Sequence, residues 1–187
     1  ILGIEIAGGI YSGSLALLAD AGHVLADSVA TIISIFVATL VKKTPSQEKR
    51  LRSWGGYANA TLLLALALWI GVEALLRFSN PREVVSELVV VVAFLGGGLN
   101  WWQHRILETH GKHNHVTHQA MSFHIMSDLW QSVGVLASGF VIYLTGLTIV
   151  DPLFSLYIAY RMAKWSLELF QMSRSGNEHN HHHGHHH

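Results

Sequence analysis

The chain contains no cysteine among its 187 residues and few charged side chains. Without cysteine, disulfide bonds and thiolate metal sites are excluded, so any metal must be bound by His, Asp, Glu or backbone oxygen. Charged residues make up 13% of the sequence and hydrophobic residues 50%, whereas soluble domains average roughly 25% charged residues. This deficit of charge favours a membrane protein. The formal net charge is +0, and no nucleic-acid partner is expected.

Long apolar segments predict the fold class. A helix needs about 20 apolar residues to cross a bilayer, and the sequence predicts an all-α membrane protein, a bundle of six transmembrane helices. No signal peptide is visible and the first residue is not methionine, so we expect the first helix to be truncated. The predicted transmembrane domain covers residues 1–173, with helices at about 1–10, 14–41, 54–78, 83–107, 119–145 and 152–173.

Turn residues set the predicted boundaries. Pro81 ends the third helix because the residue before proline is disfavoured in a helix. The Gly96 to Gly98 step predicts close helix packing or a kink. Asp151 and Pro152 are interpreted as the N-cap and first residue of the sixth helix. A histidine-rich tail, residues 174–187, follows the last helix.

Basic residues predict the orientation of these helices. Loops rich in Lys and Arg stay on the cytoplasmic side of a membrane. One predicted side carries Lys42, Lys43, Lys49, Arg50, Arg52, Arg105, Lys112 and Arg174, whereas only Arg77 and Arg82 flank the other. Both termini, and with them the tail, are therefore predicted to be cytoplasmic.

Two apolar helices carry the same ionisable pair, His23 with Asp27 and His124 with Asp128. Residues four apart lie on one face of a helix, so each pair points an imidazole and a carboxylate the same way. Such groups cost roughly 2.5 to 3.5 kcal/mol each at membrane depth, and rarely persist without a partner or a function. Two facing pairs suit a tetrahedral metal, with zinc the first choice and cobalt or cadmium as alternatives. The alternative is that these residues bind no metal, and that each His and Asp forms hydrogen bonds only with one another or with the backbone inside the helix bundle.

The depth of the two pairs agrees with a shared site. At roughly 1.5 Å per residue, the first pair lies about 16 Å from the outer surface and the second about 10 Å from the cytoplasmic surface. Together these depths come close to the roughly 30 Å hydrocarbon thickness. Both pairs are therefore predicted to lie at similar height near the middle of the membrane.

The segments SLALLADAGHVLADS, EALLRFSNP and FHIMSDLWQSVGVLASG followed by DP resemble the cation diffusion facilitator family of proton-coupled zinc exporters. The resemblance covers the membrane part and implies a transport site at His23, Asp27, His124 and Asp128. It also implies that zinc leaves in exchange for protons by alternating access, that the protein is a homodimer, and that it is not an enzyme. Both pairs begin with histidine, at His23 and His124, and in this respect the chain resembles the zinc-selective members of the family.

The sequence also departs from this family. Family members usually carry a C-terminal cytoplasmic domain that binds metal and helps dimerisation, and this chain stops soon after its last helix. The loop between the second and third helices lacks the His and Asp of a further family site. The chain is expected to be a member without that domain, or a shortened piece of one.

Several weaker candidates surround the main site. Asp20 lies one turn before His23 and is a candidate to orient its ring, since metal-bound histidines usually need an outer-shell acceptor; the alternative is a role as an external gate or a cap. Glu5 and Glu73 are interpreted as paired or solvated, with a proton-relay role as the alternative. A zinc-capturing patch, the alternative being a solvated loop, is formed by His110, His113, His115 and His118. The tail is interpreted as either a metal-gathering end or a purification tag.

Three other functions remain as alternatives. A membrane-embedded zinc hydrolase would keep a coordination position open for water, whereas two His and two Asp already complete a tetrahedron. A zinc sensor subunit would bind the metal without transporting it. A pore is disfavoured because a closed four-ligand cage holds an ion too tightly for fast conduction.

Overall fold

A computed structural model describes residues 2–110 and 115–178, with the backbone alone at 103–104, 107–110, 115–125, 127 and 175–178. Within these residues the chain forms six α-helices, one short 3₁₀ helix and no strand, so the all-α prediction is confirmed. The α-helices are α1 (Leu2–Ser12), α2 (Leu15–Lys43), α3 (Glu48–Ser79), α4 (Ser86–His110), α5 (His115–Thr145) and α6 (Val150–Glu178), and the 3₁₀ helix is Pro45–Gln47.

Several helices extend beyond their predicted apolar cores. Helix α3 begins at Glu48 instead of about residue 54, and Arg52 Nε donates a hydrogen bond to Glu48 Oε1 at 2.8 Å in this added turn. Helices α4 and α5 likewise continue into the predicted histidine-rich loop, and α6 continues into the predicted tail. Polar residues can extend a helix past the membrane core through such i,i+4 pairs. The apolar pattern of the sequence predicts only the membrane-spanning part, so it does not show these added turns.

Many large apolar side chains are exposed on the helix surfaces. In α2 these include Ile32, Ile35 and Phe36, each more than 60% exposed. Soluble proteins rarely expose contiguous apolar surfaces of this kind, whereas side chains facing lipid are expected to be apolar. In the described part of the chain, Leu15–Lys43 and the Pro45–Ser79 stretch are also long and apolar enough to cross a membrane.

The chain divides into two compact units. The first unit contains residues 1–21 and 72–158, and the second contains residues 22–71 and 159–187. Helices α2, α3 and α6 each contribute to both units, because the boundaries fall within them.

In the first unit, the carboxylate of Asp151 binds the start of α2. It accepts hydrogen bonds from Ser14 Oγ at 2.5 Å, from Leu15 N at 2.8 Å and from Ala16 N at 3.2 Å. The first amides of a helix have no partner within the helix, and a carboxylate there also interacts favourably with the helix dipole. The prediction that Asp151 is the N-cap of the sixth helix is wrong: α6 begins at Val150, and Asp151 instead caps α2.

Arg77 completes this polar network. Its Nη1 lies 3.4 Å from Asp151 Oδ2 and donates to the carbonyl of Gly13 at 2.6 Å, while its Nε donates to Glu73 at 3.3 Å. Gly13 has a φ of +72°, a region that other residues adopt only at a cost. A Cβ there would also lie 2.6 Å from the Glu83 carbonyl oxygen. The turn between α1 and α2 is thus held by the ends of α3 and α6.

Helices α1 and α4 approach closely in the first unit. A Cβ on Gly8 would lie 2.7 Å from the Val92 side chain, and a Cβ on Gly96 would lie 2.5 Å from Glu5 Oε1. The glycine step of α4 was predicted to give close packing or a kink, and close packing is found at Gly96. Glycine at this position leaves room for the Glu5 carboxyl group.

In the second unit, α3 packs against α6. Ser166 Oγ of α6 donates a hydrogen bond to the Ala60 carbonyl of α3 at 2.8 Å, and the Tyr57 and Phe170 rings lie 6.0 Å apart. Both contacts join the first half of α3 to the second half of α6. This packing provides one wall of the cavity described below.

Candidate metal centre

Helix α2 brings His23 and Asp27 together as their spacing predicts. His23 Nε2 lies 3.5 Å from Asp27 Oδ2, with the His23 side chain 1% exposed and the Asp27 side chain 32% exposed. One imidazole nitrogen and one carboxylate oxygen therefore lie side by side on one face of the helix. A separation of this size allows both atoms to bind the same metal ion.

The ring of His23 packs against α6. Its centroid lies 5.2 Å from that of Trp165 with the planes tilted by 44°, and Arg161 Cζ lies 4.8 Å from the Trp165 ring. A histidine packed in this way has few rotamers open to it, which favours a fixed ligand geometry. Sequence reasoning missed both α6 residues, although an arginine within a membrane helix is itself a signal of function.

The other predicted pair lies on α5. Asp128 is partly buried, and His124 lies one turn earlier within the helix. The side chain of His124 falls outside the described residues. The helical backbone at both positions agrees with the i,i+4 geometry that places their side chains on one face.

A buried polar network connects α2 with α5. Gln131 Nε2 donates to Asp20 Oδ1 at 2.8 Å, and Ser132 Oγ lies 3.4 Å from Asp20 Oδ2. Asn100 of α4 in turn donates to Ser132 Oγ at 3.1 Å. Asp20 is 3% exposed and Gln131 is 5% exposed, so this contact is shielded from solvent. Sequence reasoning treated Asp20 as a partner for His23 and did not identify Gln131 as its hydrogen-bond partner.

Asp20 and Gln131 flank the predicted ligands on their helices. Asp20 lies three residues before His23 on α2, and Gln131 lies three residues after Asp128 on α5. Each therefore occupies the neighbouring turn on a similar face. The Asp20 to Gln131 hydrogen bond joins α2 to α5 within the first unit.

A cavity of about 260 Å³ lies in the second unit. Its α2 wall includes Ala30, Ser34 and Val37, which follow Asp27 at the three- and four-residue spacing of one helix face. The opposite walls include Gly55 and Asn59 of α3. The cavity thus lies beside the part of α2 that follows Asp27, toward the Lys43 end of the helix.

Of the secondary candidates, His110 ends α4, and His115 and His118 lie within α5 rather than in a loop. The side chains of these three residues, and the whole of His113, fall outside the described residues. The tail histidines also lie outside them. Glu73 lies near two cations, with its Oε1 3.3 Å from Arg77 Nε and 3.1 Å from Arg82 Nη2, as its interpretation as a paired group predicted.

Comparison with known proteins identifies the family. Residues 1–185 match the cation efflux transmembrane domain. The chain belongs to this family. The predicted cation diffusion facilitator resemblance is therefore confirmed, and so is the all-α membrane fold. The cation efflux family consists of transporters, in agreement with the prediction that the chain is not an enzyme.

Curated relatives in the cation efflux family include proteins named for several metals. The chain is 33% identical over 174 residues to the zinc transporter ZitB of Yersinia pestis, covering 90% of this chain and 56% of the relative. It is 32% identical to the cadmium, cobalt and zinc/H(+)-K(+) antiporter of Bacillus subtilis strain 168, covering 83% and 52%. It is 35% identical to the metal cation efflux system protein CzcD of Cupriavidus metallidurans, covering 82% and 50%. The chain therefore spans about half the length of these relatives.

Proposed function

We propose that this chain exports zinc from the cytoplasm in exchange for protons, with His23, Asp27, His124 and Asp128 binding the transported ion. The observation that carries the proposal is the 3.5 Å contact between His23 Nε2 and Asp27 Oδ2 on a largely apolar helix. Names of relatives that transport zinc, cadmium or cobalt support a divalent metal as the substrate. We propose zinc as the principal substrate, with cobalt and cadmium as alternatives.

The polar network supports a shared site for the two pairs. Within the first unit, Gln131 of α5 donates a hydrogen bond to Asp20 of α2, and each of these residues lies three positions from a proposed ligand on its own helix. The proposed ligands are His23 on α2 and Asp128 on α5. Two nitrogen and two oxygen ligands would then complete a tetrahedron around zinc.

Proton exchange follows from the chemistry of these ligands. Zinc binds neutral imidazole and ionised carboxylate, so binding releases protons and protonation favours release of the metal. Histidine has a reference pKa of about 6.5, so this competition falls in the physiological range. We propose that α2 and α5 alternate between inward-open and outward-open arrangements, with both termini cytoplasmic and two copies forming a homodimer.

Transport in sealed vesicles tests this function. Purified protein is reconstituted into liposomes that contain a zinc-sensitive dye and, in parallel samples, a pH-sensitive dye. We expect an imposed pH gradient to drive zinc movement, and zinc movement to drive protons the opposite way. Zinc binding without either flux would favour the sensor alternative, whereas hydrolysis dependent on bound zinc would favour the enzyme.

The cavity beside α2 is proposed as the cytoplasmic route to the site. Phenylalanine at Ser34 would fill part of the 260 Å³ space without touching the proposed ligands. We expect Ser34→Phe to lower the maximal rate of zinc transport while zinc affinity in detergent stays unchanged. Stopped-flow transport and calorimetric titration measure the two quantities. Thr39→Phe, on an exposed position of the same helix, is the matched control. Equal transport rates in the parent and Ser34→Phe would contradict this route.

The histidines of the segment from His110 to His118 are proposed to collect zinc before transport. We expect replacement of His110, His113, His115 and His118 by asparagine to raise the zinc concentration for half-maximal transport and leave the maximal rate largely intact. Initial rates measured across a zinc concentration series provide both values. An unchanged half-maximal concentration would contradict the capture role and favour a solvated segment.

A further inference from the structure

Glu5 is a buried carboxyl group that the metal site does not use. It is 1% exposed, and neither of its carboxylate oxygens has a hydrogen-bond partner among the described residues. Its Oε1 lies over Gly96 of α4, at a point where any side chain on that residue would collide with it. Glycine at this position leaves the carboxyl group a close-fitting space between α1 and α4.

The charged groups near Glu5 include a second carboxyl group. Asp20 of α2 is near enough to act on it electrostatically, and Asp20 accepts hydrogen bonds from α5. Helix α4 presents Val92 and Gly96 to the facing side of α1, neither of which is charged. The titratable tyrosine of α1, Tyr11, is 79% exposed and lies nearly two turns away.

These surroundings favour the protonated form of Glu5. An ionised carboxylate without hydrogen bonds in an apolar environment is strongly disfavoured, and such groups usually bind a proton instead. A neighbouring negative charge acts in the same direction. Asp20, by contrast, has donors from Gln131 and Ser132 that stabilise its ionised form. The two carboxyl groups therefore occupy environments suited to opposite protonation states.

We propose that Glu5 is a proton-binding site of the exchange cycle, separate from the residues that bind zinc. The inference rests on the proposed zinc and proton exchange. In the described arrangement Glu5 holds a proton. When the helices rearrange and water reaches its carboxyl group, it releases that proton, which couples part of the proton movement to the conformational change instead of to metal binding.

Infrared spectroscopy tests the protonation state directly. A protonated carboxylic acid has a carbonyl stretching band that an ionised carboxylate lacks. We expect purified protein in lipid to show this band at neutral pH, and Glu5→Gln to lose it. Glu168→Gln is the matched control, because Glu168 is 52% exposed and its replacement should leave the band unchanged. A parent spectrum without the band, or a band that survives in Glu5→Gln, would overturn the proposal.

Transport assays separate this site from the metal site. Glutamine mimics a permanently protonated Glu5, so we expect Glu5→Gln to bind zinc with parent affinity and to exchange zinc for zinc across the membrane. Net zinc movement driven by a pH gradient should be slower than in the parent, because only the protons exchanged at the zinc ligands then contribute. Parent-like gradient-driven transport by Glu5→Gln would overturn the role of Glu5. Absence of zinc flux in the parent would instead overturn the proposed function.

A second variant guards against misfolding of Glu5→Gln. Gly96→Ala adds a methyl group against the flexible end of the Glu5 side chain, which can move without disturbing the backbone. We expect Gly96→Ala to fold, to retain the acid band at a shifted frequency and to change the pH dependence of net transport. An unshifted band together with a parent-like pH dependence would contradict the placement of the proton at this contact.

Discussion

Alanine at Asp27 is expected to abolish zinc transport by the reconstituted protein and to weaken zinc binding severely. Loss of an outer-shell partner typically lowers metal affinity by roughly 10- to 100-fold, and loss of a direct ligand should exceed that. His23→Ala should behave in the same way, because its Nε2 lies 3.5 Å from Asp27 Oδ2 on the same helix face. On α5, His124→Ala and Asp128→Ala should give matching losses.

Zinc-dependent stability distinguishes a lost ligand from a misfolded protein. A ligand at about 100 times its dissociation constant stabilises the folded state by about 2.7 kcal/mol. We expect the parent to gain stability of this size on addition of zinc, and the four alanine variants to gain none while melting normally without zinc. Ser28→Ala is the matched control, since this exposed hydroxyl donates to the Val24 carbonyl of its own helix. Parent-like transport by Asp27→Ala and His124→Ala would refute the site.

Alanine at Asp151 is expected to destabilise the first unit. This carboxylate is 1% exposed and binds Ser14, two amides of α2 and the guanidinium of Arg77. Removing one partner of a buried ion pair typically costs about 3 to 5 kcal/mol, and because Arg77 keeps its contact with Glu73 we expect a loss near the lower end of this range. A single hydrogen bond between membrane helices averages only about 0.6 kcal/mol. Reversible unfolding in mixed micelles measures the free energy of unfolding.

An exposed ion pair provides the control for Asp151. Arg52 and Glu48 are 61% and 46% exposed, and exposed pairs contribute only about 0 to 1 kcal/mol. Glu48→Gln should therefore leave the free energy of unfolding nearly unchanged. If Asp151→Ala and Glu48→Gln have the same stability, the buried network does not hold the ends of α2, α3 and α6 together as described.

The sequence was sufficient for features that depend on local spacing. Apolar segments predicted the helices, and the four-residue spacing of His23 and Asp27 predicted neighbouring side chains, which the 3.5 Å separation matches. The family resemblance could be recognised from the sequence because each of its motifs is a continuous segment of the chain. Helix ends were less accurate, since polar turns such as the one at Glu48 extend helices beyond the apolar pattern.

Contacts between distant segments were beyond sequence reasoning. Asp151 follows Ser14 by 137 positions, and its proximity to a proline suggested a local cap instead of a contact with α2. The partner of Asp20 was also missed because Gln131 follows it by 111 positions. The burial of Glu5 depends on its fit over Gly96, and a helix pattern alone does not give such packing.

Anomalous scattering at the zinc absorption edge, from crystals of the protein grown with zinc, tests the central claim most directly. We predict one peak within about 2.0 to 2.2 Å of a nitrogen of His23, a nitrogen of His124, and carboxylate oxygens of Asp27 and Asp128. The peak should disappear in crystals of Asp27→Ala. A zinc peak elsewhere, with these four side chains bound to no metal, would contradict the account.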